Sequence, residues 1–174
     1  GTISAQGIDQ MRAMGTKEWL KALNKTEMMC ALPENNWVNT VTGEQPWKLK
    51  EQLVFIHFGD FQNPKSLENL RTLNRLQYVL SHVKVLFIHQ STASYPVDLV
   101  SFQNELNRYD IGIPACLDMM NSVACIDSTV RPKTILLAPE GQIMGELSGW
   151  HNIDHLIQIT TRFTDLSMDA YNFP

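Results

Sequence analysis

His57, Asp60, Asn63 and Ser66 fall within ten residues, where an apolar run ends and a helical pattern begins. A buried strand delivering its C-terminal end to a helix N-terminus is a place where α/β folds put ligands and chemistry. Strand-end side chains and the first N–H groups of the helix converge there. The turn nevertheless lacks an evident reagent: it has no cysteine, no glycine-rich loop and no visible base–nucleophile pair. His57 lies inside the apolar run. Its functional reading is a general base; the plainer reading, which we prefer, is a core histidine whose ring nitrogens are paired. Asn63 stands just before Pro64, where its side-chain oxygen can cap a helix by accepting from an amide two or three positions on. Binding a ligand is the alternative.

Cys30, Cys116 and Cys125 make an odd, sparse set without zinc or redox spacing. Buried free thiols in a reducing compartment are expected, with a Cys116–Cys125 disulfide as the alternative. Cys116 or Cys125 could act as a displaced redox thiol, although neither is placed at a helix N-terminus that would lower its pKa. His151 and His155 are one helical turn apart with no third ligand in view, so no zinc site is expected. No other metal and no cofactor is expected. The eight methionines read as core or contact filler.

These residues need a scaffold, and the composition supplies one. The chain has 174 residues, 44% hydrophobic and 18% charged, enough for one domain with a core. A net charge of −4 and scattered basic residues argue against a nucleic-acid partner. No apolar run is long enough to cross a membrane. The first residues do not resemble a signal peptide. Cysteine usage places the chain inside the cell, in the cytoplasm or an organelle such as the mitochondrion.

The hydropathy pattern alternates strands and helices. Thr16 opens a helix through about Cys30 that carries Trp19, Leu20, Leu23 and Met28 on one face. Strands follow at 36–40 and 52–58. Leu67, Leu70, Leu73, Leu76 and Leu80 mark a helix from Pro64 to near His82. Then come a strand at 83–89, a helix from Pro96, a short strand at 112–117 and a short helix at 119–127. A hairpin follows, of strands 134–138 and 142–147 about the turn Pro139-Glu-Gly141. Asn152 caps a last helix, and 164–174 is a polar tail with stray aromatics. The expected organisation is an extension over 1–35, an α/β domain over 36–162 and a tail over 163–174, with a central mixed sheet flanked by helices.

From about Trp37 to Thr160 this order resembles the thioredoxin superfamily. Pro132, just before strand 134–138, falls where that family has its cis-proline. Trp37-Val-Asn-Thr, Leu53-Val-Phe-Ile-His-Phe, Pro139-Glu-Gly141 and Gly149 resemble the TlpA-like group, including the thioredoxin domain of an NHL-repeat protein. Phe58-Gly59 before Pro64, and Asp118-Met-Met-Asn before Pro132, resemble the iodothyronine deiodinase-like group. The resemblance implies a thioredoxin-like fold with an extra N-terminal helix. It also implies a groove formed by Asp60, Phe61, Asn63, Ser66, Arg131, Pro132, Trp150 and His151. In both groups a reactive cysteine or selenocysteine opens the long helix. Here that position is Asn63, and Ser66 stands where a second cysteine would be, so the catalytic residues do not carry over. At the groove Arg131 would grip a carboxylate or phosphate, or pair with Asp60. Trp150 would anchor a partner or pack on the sheet edge.

The expected function is a non-catalytic protein-binding or structural module, holding a protein or peptide partner within a larger protein or assembly. The alternative is an oxidoreductase or deiodinase-like enzyme that uses Cys116 or Cys125.

Overall fold

All seven residues of β2 (Leu53–Gly59) are buried, and six of seven in β3 (Val83–His89). Strands covered on both faces read as near-continuous apolar runs, which is why neither shows an alternating pattern. The computed structural model describes residues 27–49, 51–90, 95–126, 132–147 and 152–172. β2 and β3 pair in parallel, from Leu53 opposite Val83 to Gly59 opposite His89. β1 (Trp37–Val38), β4 (Ala115–Leu117), β5 (Lys133–Leu137) and β6 (Ile143–Leu147) complete a six-stranded mixed sheet in the order β1-β4-β3-β2-β5-β6. Helix α1 (Pro64–Val79) lies between β2 and β3 in the chain, α2 (Leu99–Arg108) between β3 and β4, and α3 (Ile153–Asn172) follows β6.

The sheet has an apolar layer on each face. Phe55, Leu70, Leu73, Leu76, Phe87 and Phe102 belong to one, with Leu156 and Ile159 of α3. Leu32, Val54, Ile56, Phe58, Ile88 and Val123 belong to the other. Fully burying one such side chain contributes about 1.5–3 kcal/mol, so these layers hold the strand ends in place. Side chains of α1 fasten it to the sheet. Gln77 Nε2 donates to Val83 O at 2.7 Å, and Val85 N donates to Gln77 Oε1 at 3.0 Å. That clamp turns the chain into β3, and α1 ends at Val79, short of His82.

Several sequence expectations need correction. Residues 27–30 are not helical: Met29 N donates to Gly141 O at 2.9 Å, and Ile143 N to Glu27 O at 2.7 Å. The free edge of β6 offers unpaired backbone groups, and this segment satisfies some of them. Thr16, Trp19, Leu20 and Leu23 lie outside the described residues. Through Ile126 the expected helix at 119–127 is a series of turns. The Ser122 amide is diverted to the Asp118 carboxylate, which accepts from it at 2.9 Å. α2 begins at Leu99 rather than Pro96, since the Asp98 side chain and Ser101 form its capping box. Asn152 Oδ1 accepts from Asp154 N at 2.8 Å, capping α3 as expected. That helix continues through Asn172, so the backbone of 163–172 is helical.

Candidate functional site

Gly59 ends β2 under the first turn of α1. A Cβ there would collide with Ser66 Oγ and lie 2.8 Å from His57 Nε2, so only glycine lets helix and strand end approach this closely. The chain then passes through Asp60 to Asn63 and uses its own side chains to satisfy its amides. Asp60 Oδ1 accepts from Gln62 N at 3.0 Å and from Asn63 N at 2.8 Å. Asn63 Oδ1 accepts from Lys65 N at 2.9 Å and from Ser66 N at 3.4 Å. Asn63 is therefore the N-cap of α1, as its residue type predicts. The amides that would hold an anion are taken up by these side chains, and a carboxylate stands among them.

Under this turn runs a buried chain of hydrogen bonds through three elements. Ser66 Oγ on α1 is 2.8 Å from His57 Nε2 on β2. His57 Nδ1 is 2.9 Å from Thr134 Oγ1 on β5, the residue paired with it across the sheet. Asp60 N donates to the same Ser66 oxygen at 3.1 Å. His57, Ser66 and Thr134 are each wholly buried. The structure thus contains the base–hydroxyl pair that the sequence did not reveal. It is sealed from solvent, so its present arrangement braces α1 against the sheet and exposes no nucleophile.

Phe61, expected at the groove, is instead buried. It packs with its ring centroid 5.1 Å from that of His89 and 5.8 Å from Tyr109, with Phe87 and Phe102 completing the cluster. The apolar ring finds an aromatic layer beneath the turn and leaves only polar Asp60, Gln62 and Asn63 above it. Pro132 is half-buried and precedes Lys133, which pairs with Phe58 across the sheet. The structure therefore brings Pro132 beside the strand end at Gly59. Arg131, Trp150 and His151 lie outside the described residues, as does the Arg131–Pro132 peptide bond.

A second group adjoins the turn. Gln90 N donates to Gly59 O at 2.9 Å, and its side chain donates to Asp118 Oδ2 at 2.8 Å. Asp118 N donates to His89 O at 3.0 Å. This network fixes the segment after β4 at the carboxyl end of the parallel strands. There Met119 is 56% exposed and Met120 86% exposed, while Tyr95 and Val97 are exposed in the segment that leads from β3 to α2. Met119 and Met120, part of the Asp118-Met-Met-Asn run, are thus not core filler, and Tyr95 and Val97 did not stand out in the sequence.

The cysteines differ from expectation. Cys30 and Cys125 are joined in a disulfide, replacing both the expected free thiols and the Cys116–Cys125 pairing. Cys116 is the buried free thiol that was expected. Its Sγ donates to Asn35 O at 3.3 Å. Burial, followed by the nearby Asp118 charge, pushes its pKa up to about 12. Among the described residues, no cluster of three or more histidines, cysteines or acids could hold a metal ion, and no helix is long and apolar enough to cross a membrane.

No protein-family model and no curated protein sequence matches this chain. Solved structures do. A thioredoxin-like superfamily protein aligns with a TM-score of 0.66 at 17% identity, covering 79% of this chain and 97% of its own. A thiol-disulfide isomerase from Corynebacterium glutamicum aligns at 0.65 and 18%, covering 82% and 99%. A DsbF homologue from Corynebacterium diphtheriae aligns at 0.57 and 14%, covering 77% and 97%. These likenesses, with the strand order described above, establish a thioredoxin-like α/β fold for this chain.

Proposed function

We propose that this domain is a non-catalytic binding module, holding an extended peptide or protein partner at the carboxyl end of its parallel strands. The observation that carries the reading is the state of the helix N-terminus. Asn63 is spent as a cap, and Ser66 is buried against His57, at the two positions where the resembling families have their reactive residues. A carboxamide and a sealed hydroxyl offer no thiol for exchange. Cys116 gives no support to the alternative enzyme, because a buried thiol with its pKa near 12 is protonated at neutral pH.

Exposed Met119 and Met120, next to the Asp118–Gln90–Gly59 network, supply apolar contact near the polar turn, and Tyr95 and Val97 are exposed in the segment after β3. Exposed apolar groups gathered at one end of a sheet mark interaction sites, and methionine adapts to varied partners. Arg131, Trp150 and His151 would extend the same surface, as the resemblance implies. An organelle oxidising enough to keep Cys30–Cys125 closed suits the domain; non-reducing alkylation of cell fractions would check this, and a wholly reduced native pool would contradict it. For the binding reading, peptides selected from a random library should shift the amide resonances of Gln62, Asn63, Met119 and Met120. Met120→Asp should weaken them about tenfold. Shifts confined to another face would sink the proposal.

A further inference from the structure

We infer that the Cys30–Cys125 disulfide is a thiol–disulfide exchange site that latches segment 27–32 onto the fold, and that its co-substrate is a dithiol. The bond joins two segments that are otherwise far apart in the chain, with a sequence separation of 95. One is the edge segment before β1. It is held to the hairpin turn by Met29 N to Gly141 O and Ile143 N to Glu27 O, and to the core by Leu32, 4% exposed. The other is the turn region after β4, anchored by Asp118 and by Val123, 2% exposed. Both anchors lie inward of the disulfide, and Cys125 itself is exposed. An incoming thiolate can therefore reach the bond without opening the core, and accessible disulfides are the labile ones.

Each sulfur also has a donor. Cys125 N donates to Cys30 Sγ, and Cys30 N to Cys125 Sγ, both at 3.3 Å. A backbone N–H directed at sulfur stabilises the thiolate as it leaves. In the exchange one thiolate of the dithiol attacks Cys125 Sγ and forms a new sulfur–sulfur bond. The Cys30–Cys125 bond breaks, and Cys30 departs with the electron pair, its charge met by the Cys125 N–H. The second thiol of the reagent, deprotonated, then attacks its own mixed-disulfide sulfur and expels Cys125 as thiolate. The reagent leaves as a disulfide, and its two protons remain with Cys30 and Cys125. The chain is the substrate of this step and is converted once per molecule.

Reduction has a structural consequence. Met28, Met29 and Cys30 form part of the wall of a cavity of about 610 Å³, which Trp47, Leu49 and Gly141 also line. With the bond open, that wall hangs on the few hydrogen bonds to 141–143, and the cavity loses its fixed side.

The test uses the full chain without denaturant, in a dithiothreitol series, with mass-resolved alkylation and hydrogen exchange. Cys30 and Cys125 should become alkylated while Cys116 stays protected. Exchange at the Met29 and Ile143 amides should rise about tenfold or more, with β2 and β3 unchanged. The Cys30→Ser, Cys125→Ser double variant should show the same raised exchange with no reductant. Reduction that occurs only when β2 and β3 amides also open, or that leaves Met29 and Ile143 unchanged, would overturn the inference.

Discussion

Ser66 Oγ lies 2.8 Å from His57 Nε2, nine residues away in the chain, and the Asp60 N–H reaches the same oxygen at 3.1 Å. One hydroxyl thus satisfies a buried imidazole and the first amide of the turn. Replacing it leaves both without that partner inside the protein, where an unsatisfied buried polar group costs about 1–3 kcal/mol. Ser66→Ala is expected to lower unfolding stability by about that much while the fold persists. Urea unfolding checks it, and a change of less than about 0.5 kcal/mol would show that the network is not a brace.

Gly59 is constrained by the same pair. A methyl group there would collide with Ser66 Oγ and crowd His57 Nε2, so Gly59→Ala must shift α1 away from the strand end. Overpacking of this kind costs about 1–3 kcal/mol. The loss should be largely relieved when Ser66→Ala is added, because the colliding oxygen is gone. Additive losses in the double variant would place the strain elsewhere.

Much of this architecture was legible in the sequence, for physical reasons. β2 and β3 announce themselves as unbroken apolar runs, and α1 by its leucine spacing and its Asn63-Pro64 start. Single residues were harder to place. Phe61 reads as a turn residue until the aromatic layer beneath it is known. His57 and Ser66 meet only through the packing of α1 on β2, and Thr134 joins them through a strand register that sequence does not contain. The Cys30–Cys125 pairing depends on an edge segment whose Met28 reads equally well as part of a helical stripe. Asp118 diverts the Ser122 amide from the helix expected there.

If the turn retains the geometry for thiol chemistry and lacks only the sulfur, supplying sulfur should restore reactivity. In the Asn63→Cys, Ser66→Cys variant the thiol introduced at 63 stands at the N-terminus of a sixteen-residue helix. Removing the cap also frees the Lys65 and Ser66 amides to stabilise its thiolate. Its pKa should fall below that of an ordinary exposed thiol, read from the pH dependence of thiolate absorbance. An unshifted value would show that the helix start no longer presents those amides.

Cys116 gives a pH-dependent signature. Its folded-state pKa, about 12, lies above the ordinary value of 9.0, so the folded state holds the proton more tightly than the unfolded one. The associated stability is fully present below about pH 9 and is lost as pH rises towards 12. Thermal scans of the native chain and of Cys116→Ala should diverge in that window, the native chain losing about 1 kcal/mol more by about pH 10. Parallel curves would mean that the thiol is not desolvated in the folded protein.

The central claim is that the turn from Gly59 to Ser66 binds without redox catalysis. Multiple-turnover reduction of a protein disulfide by dithiothreitol, with the full chain present in catalytic amount, tests it most directly. Rates with the native chain and with the Cys30→Ser, Cys116→Ser, Cys125→Ser variant should both equal the uncatalysed background. Sustained turnover by the native chain that disappears in the variant would contradict the account.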